Sequence, residues 1–272
     1  MVSFSLDASK ALADQQTMTM MVRLFGENKT PPPLVLKATA QKLTENTYSF
    51  LNKAFPEMSA DEALDMAMQR LCPESYRHCV RVGELASRFA RMLGLDRKFR
   101  KDLKRSAKLK EGGFLALTLA AFDDFDQDEF MEAMLMGGEY HDIGKLAIPA
   151  EIINKPDRLT EEEYELVQLH PVIGEAMLVP LEAPELILAS VRGHHERWDG
   201  EGYPDGLAGD AIPLVARMLS IVDTFDAMTG SRPYRSRVSC EEAAEEIIRH
   251  AGTQFDPELA RLFCQLVLEE SE

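Results

Sequence analysis

Apolar residues recur along this chain at i, i+3, i+4 and i+7 spacings, in runs set off by proline and glycine. That is the period of amphipathic helices rather than of strands. Two such runs, SLDASKALADQQTMTMMVRLF and LVLKATAQKLTENTYSFLNKAF, lie within residues 1–58, and Pro31, Pro32 and Pro33 force an extended break between them. Ser59 and Glu62 form a capping box ahead of Ala63, Leu64, Ala67, Met68 and Leu71, and this helix ends before Pro73. The next pattern, PESYRHCVRVGELASRFARMLGL, sets Glu74 and His78 one turn apart on a face continued by Val82, Leu85 and Phe89, so His78 points inward. Further capping boxes fall at Thr160 with Glu163 and at Ser239 with Glu242; Gly252 reads as a stop and Asp256-Pro257 as a new start. With no strand pattern of convincing length and no repeat, the predicted fold class is all-α, a multi-helix bundle.

Chemistry-bearing residues interrupt this pattern at a few places. His194 and His195 end the apolar run ILASVRGHH, and a loop containing Gly200, Gly202, Pro204, Gly206, Gly209 and Pro213 follows. The helix LVARMLSIVDTFDAM then carries Asp223 and Asp226 on one face among apolar neighbours. Carboxylates there are costly unless paired or metal-bound, so His194, His195 and Asp223 suggest ligands. EYHDIGKLAIP supplies His141, Asp142 and Lys145, and a carboxylate such as Asp142 can bridge two cations. Gly137 and Gly138 are expected to loosen the helix that presents this pair. Taken singly, His78 reads as a core histidine and His170, before Pro171, as a helix-end residue. His250 sits at a helix end and is left out of the site.

Composition narrows the classes. At 272 residues the chain can bury a substantial core, and a formal net charge of −16 argues against a general nucleic-acid or anionic-membrane binder. Cys72, Cys79, Cys240 and Cys264 form no CxxC, so buried thiols are expected rather than a disulfide framework. No apolar run approaches ~18–20 residues, and MVSFSLDASK lacks a signal-peptide pattern; a reduced, cytoplasmic protein is expected.

The motifs HHExxxGxGYPxGLxGxxIP, DxxDAM and RPYR, with HxxRVxxLAxxxAxxLGL, HDxGK, KPxxLTxxE…HPxxG and GTQFDP, stand in one order along the chain. In these residues it resembles the HD-GYP family of phosphodiesterases, a branch of the HD phosphohydrolases, over about residues 70–265. Residues 96–139 depart from the family pattern and are read as an insertion; Asp124, Asp126 and Asp128 imitate a calcium loop, but Glu129 and Leu135 break it. The expected organisation is an N-terminal helical segment, 1–58, of sensory, packing or dimerisation role, followed by the HD-GYP domain, 59–272.

The resemblance implies a metal centre. His78, His141, Asp142 and Asp223 would hold one ion, Asp142, His170, His194 and His195 a second, and Glu74 matches a position that accompanies a third in some members. Nitrogen and oxygen donors without thiolate favour iron or manganese. Lys145, Asp142 and Asp226 would act in catalysis, Asp226 by orienting Lys145 or a water. Gly202, Tyr203, Pro204, Arg232 and Arg235 would contact substrate, Tyr203 by stacking on a guanine. The implied substrate is cyclic di-GMP, cut to pGpG or GMP. The alternatives are an HD phosphohydrolase of another cyclic dinucleotide or nucleotide, and a non-catalytic module binding cyclic di-GMP or a GGDEF diguanylate cyclase. A GGDEF or other signalling partner and a homodimer are both compatible with the resemblance.

Overall fold

The computed structural model describes residues 33–95, 127–230 and 238–269. In chain order its helices are α1 (Pro33–Ala54), α2 (Ala60–Leu71), α3 (Pro73–Leu95), α4 (Gln127–Tyr140), α5 (Ala150–Ile153), α6 (Glu161–Val167), α7 (His170–Leu178), α8 (Glu185–Gly193), α9 (Leu214–Thr229), α10 (Cys240–Arg249) and α11 (Pro257–Glu269). Short 3₁₀ turns lie at Ile143–Ala147, Val179–Leu181 and Gly209–Ala211. Among the described residues no strand forms, and Ala251 with Phe255 makes an isolated bridge, so the all-α expectation holds. No helix among them is long and apolar enough to cross a membrane. The described residues fall in two compact units, one drawn from Met1–Cys79 and Tyr140–Arg192, the other from Val80–Glu139 and Gly193–Glu272.

The three capping boxes form at Ser59, Thr160 and Ser239, each with its glutamate three residues on. In the first unit the core is Leu43, Leu51, Leu64, Ile143, Ile173, Met177 and Ile187, and the Tyr48 hydroxyl on α1 donates to the Met177 carbonyl on α7. His170 does not end a helix, as the sequence suggested; α6 stops at Val167 and His170 opens α7. Pro171 explains the switch, since a first-turn position needs no N–H.

In the second unit Phe263 takes Phe89 and Phe225 edge-on, both with ring centroids 5.2 Å away. Each such pair is worth about 0.5–1.5 kcal/mol beyond its buried area. The expectation that Gly137 and Gly138 loosen their helix is corrected: α4 runs unbroken through both. A Cβ on Gly138 would stand 2.5 Å from the Gly83 Cα, and one on Gly83 2.6 Å from the Leu135 carbonyl oxygen. The glycines are there to let α3 and α4 touch backbone to backbone, a gain that offsets their low helix propensity.

Candidate metal centre

In the first unit three histidines surround one carboxylate. His78 comes from the second turn of α3, His141 and Asp142 from the turn after α4, and His170 from the first position of α7. Gly144, in the 3₁₀ turn that follows Asp142, lies so close to α7 that a Cβ would meet the His170 carbonyl oxygen at 2.0 Å. That contact draws the two ligand-bearing segments together. Asp142 Oδ1 lies 3.3 Å from His170 Nε2; its Oδ2 lies 3.6 Å from His141 Nε2 and 2.5 Å from Lys145 Nζ. The His78 and His141 rings meet edge-on at 5.3 Å. His141, Asp142 and His170 are almost wholly buried and His78 nearly so, while Glu74, one turn before His78, is exposed.

The charges here favour a cation beside Asp142. Burial raises the Asp142 carboxyl, but the charges of Lys145, His141, His170 and His78 outweigh it and hold the group well below the usual carboxylate range. His170 Nδ1 lies 2.6 Å from the Val167 carbonyl oxygen, so Nδ1 carries the hydrogen that donates and Nε2 is the ring atom turned to Asp142. A ring nitrogen and a carboxylate oxygen turned on each other need a positive charge beside them. Imidazoles around a carboxylate, with His170 held by the Val167 carbonyl and Asp142 by Lys145, are a donor set that a divalent metal takes. Cys79 joins the same group: one donor atom each from Cys79, His141 and Asp142 lie within 4.8 Å of one another, and burial pushes the Cys79 thiol up.

The second unit carries the remaining expected residues. His194 and His195 follow α8 in a turn, ring centroids 4.1 Å apart, and Tyr203 lies over His195 at 4.8 Å, tilted 31°. Tyr203, expected to stack on a base, thus has an imidazole against its ring. The glycine loop is organised by Glu196, which is buried and accepts the N–H groups of Asp205 at 2.7 Å and Leu207 at 2.9 Å. Burial raises its carboxyl and those backbone donors oppose the rise. Gly202 admits no side chain, because a Cβ would lie 2.4 Å from the Arg197 nitrogen; the Tyr203–Pro204 peptide is cis. Outside the loop, Trp198 N–H donates to the Gln254 carbonyl and Asp199 N–H to that of Thr253. Arg217 donates to Asp256 at 2.8 Å and Asp210 at 3.2 Å, its guanidinium 5.7 Å from the Trp198 ring centroid.

On α9, Asp223 is half-buried and Asp226 buried. Both Asp226 oxygens accept from the Arg81 guanidinium at 2.8 Å. Arg81 and Glu196 are the residues that sequence reasoning missed, although both are letters of the motifs, in HxxRV and HHE. Arg232 and Arg235 lie outside the described residues.

A family model described as HD domain matches residues 116–259, more than half of the chain. The chain is 32% identical over 237 residues to a cyclic di-GMP phosphodiesterase of Thermotoga maritima, covering 86% of this chain and 54% of that protein. It is 42% identical over 122 residues to the 3'3'-cGAMP-specific phosphodiesterase 1 of Vibrio cholerae, covering 45% of this chain and 28% of that one. The chain therefore spans about half the length of the first relative and less of the second. Among solved structures, an HDG"Y"P protein from Bdellovibrio bacteriovorus matches with a TM-score of 0.50 at 15% identity, over 93% of this chain and 78% of that one, a likeness of fold alone.

Proposed function

Because the chain belongs to the HD domain family, we propose that it is a metal-dependent phosphodiesterase that hydrolyses cyclic di-GMP to pGpG or on to GMP. The observation that carries this reading is the buried Asp142 carboxylate, with the Nε2 atoms of His141 and His170 at 3.6 and 3.3 Å. In this reading His78, His141, Asp142 and Asp223 hold one divalent ion, and Asp142, His170, His194 and His195 a second. Iron or manganese suits these donors, and exposed Glu74 would serve a third ion. Bound ions supply the Lewis acidity that activates water and the scissile phosphate.

The protein's own groups do the rest. Lys145, on Asp142 at 2.5 Å, brings a positive charge to where a phosphodiester gathers negative charge on the way to cleavage. Asp226, locked by Arg81, is a fixed acceptor one turn from Asp223. Tyr203 holds the His195 ring, with Gly202 and Pro204 shaping the loop around it. Arg232 and Arg235 grip substrate phosphate, which a chain of net charge −16 must neutralise locally. A cyclic second messenger as substrate implies a cytoplasmic setting, in which a GGDEF partner or a homodimer would act.

The similarity to a 3'3'-cGAMP-specific enzyme favours one second reading, the same hydrolysis on a mixed guanine and adenine cyclic dinucleotide. Anaerobic purification, metal analysis and product chromatography with each dinucleotide separately test both. A metal-loaded chain that yields linear product from neither would overturn the enzymatic reading.

Two variants probe the division of labour. Lys145→Ala is expected to keep its metal and lower kcat by about 10²–10³-fold, the usual loss when one fixed electrostatic partner of the transition state is removed. Equal rates in variant and parent would remove Lys145 from the mechanism. Arg232→Ala and Arg235→Ala are each expected to weaken cyclic di-GMP binding by about 1–3 kcal/mol at unchanged metal content. Calorimetry in a Lys145→Ala background reads this directly. Unchanged dissociation constants would mean that these arginines pair with surface acids such as Glu241 and Glu242.

A further inference from the structure

In the first unit a soft donor, Cys79, stands beside the nitrogen and oxygen donors. Cys79 lies next to His78 on α3 and is 1% exposed, and its sulfur shares a space 4.8 Å across with donor atoms of His141 and Asp142. A buried cysteine ordinarily behaves as a small apolar residue whose S–H meets a backbone carbonyl, as Cys264 does with Ala244 at 3.5 Å. Cys79 instead has an imidazole and a carboxylate for company, both wholly buried. Zinc–sulfur and zinc–nitrogen bonds of about 2.3 and 2.0–2.1 Å place neighbouring donors of one tetrahedral ion roughly 3.5 Å apart, so a closure of about 1 Å suffices to seat a cation.

We infer that Cys79, His141 and Asp142 form a site for a thiophilic divalent cation of the zinc and cadmium class. The inference rests on the reading that His141 and Asp142 hold metal, and it adds a competitor to that centre. Two of the three donors are shared, so a soft ion seated through Cys79 takes ligands away from a hard ion instead of joining it. Nitrogen and oxygen donors alone suit iron or manganese; a thiolate shifts the preference towards zinc. Cys79 is then the residue that sets which metal the chain retains, and zinc or cadmium acts as an inhibitor by occupation.

Cobalt makes the thiolate visible. The full chain produced in cobalt-supplemented medium is expected to show a near-ultraviolet sulfur-to-cobalt charge-transfer band. Cys79→Ser, which keeps the side-chain shape and the other three cysteines, is expected to lose that band and keep the weaker visible bands of cobalt bound to nitrogen and oxygen. Cys72→Ser, at the half-buried end of α2, should retain it. In medium holding both zinc and manganese, elemental analysis of Cys79→Ser should show a lower zinc-to-manganese ratio than the parent. Cobalt bound by the wild-type chain without the band, or a band that survives Cys79→Ser, overturns the Cys79 site and leaves the metal centre standing. A wild-type chain that takes up no cobalt overturns both, and the wild-type spectrum depends on no variant folding.

Discussion

Asp142→Ala is expected to abolish the proposed hydrolysis of cyclic di-GMP and to strip the protein of metal. The carboxylate stands between His141, His170 and Lys145, the three side chains that meet its oxygens. Without it, His141, His170 and Lys145 lose the carboxylate set between them, and the site loses the anionic donor that would hold an ion there. In the two-ion reading the same side chain serves both ions, which is why one truncation should cost both. Elemental analysis of wild type and variant, purified side by side without oxygen, reads the loading; chromatography of the products reads the rate. A variant with full metal content and near-normal turnover would end the assignment of Asp142 as a shared ligand.

Gly144→Ala should produce the second large effect, on stability and loading together. The added methyl would sit 2.0 Å from the His170 carbonyl oxygen and 2.7 Å from the Gly174 nitrogen. Both are backbone atoms, so no rotamer change relieves the clash, and the 3₁₀ turn must part from α7. Overpacking of this kind costs about 1–3 kcal/mol or more, and the parting widens the gap between Asp142 and His170. A thermal melt should fall by several degrees, and metal content should drop although every ligand is still present. An unchanged melting temperature with full loading would show that the turn and α7 can move apart freely.

Much of this was legible in the sequence. Capping boxes are local, so Ser59, Thr160 and Ser239 could be read from four-residue patterns and all three form. The inward face of His78 followed from the apolar period of α3, and His78 is buried. What escaped depends on contacts across the fold. Gly138 reads as a weak point in a helix until Gly83 is seen against it, because helix propensity describes an isolated segment and close approach describes a pair. The start of α7 at His170 turned on whether Pro171 ends one helix or begins the next, a choice that the residue alone leaves even. Arg81 and Glu196 were single letters in longer motifs. Their partners, Asp226 and the N–H groups of Asp205 and Leu207, lie 145, 9 and 11 positions away, beyond any periodicity.

The ion pair of Arg217 and Asp256 bears on how this chain can change over generations. Their side chains are 8% and 1% exposed, and Asp256 also accepts the N–H groups of Glu258 and Leu259 at the start of α11. Losing Arg217 alone leaves the buried Asp256 without its cation, at a cost of about 3–5 kcal/mol, while losing Asp256 alone leaves Arg217 only the more exposed Asp210. Substitutions at the two positions are therefore coupled, 39 residues apart, and exchanging the start of α11 with that of a relative is expected to cost stability unless the matching arginine travels with it.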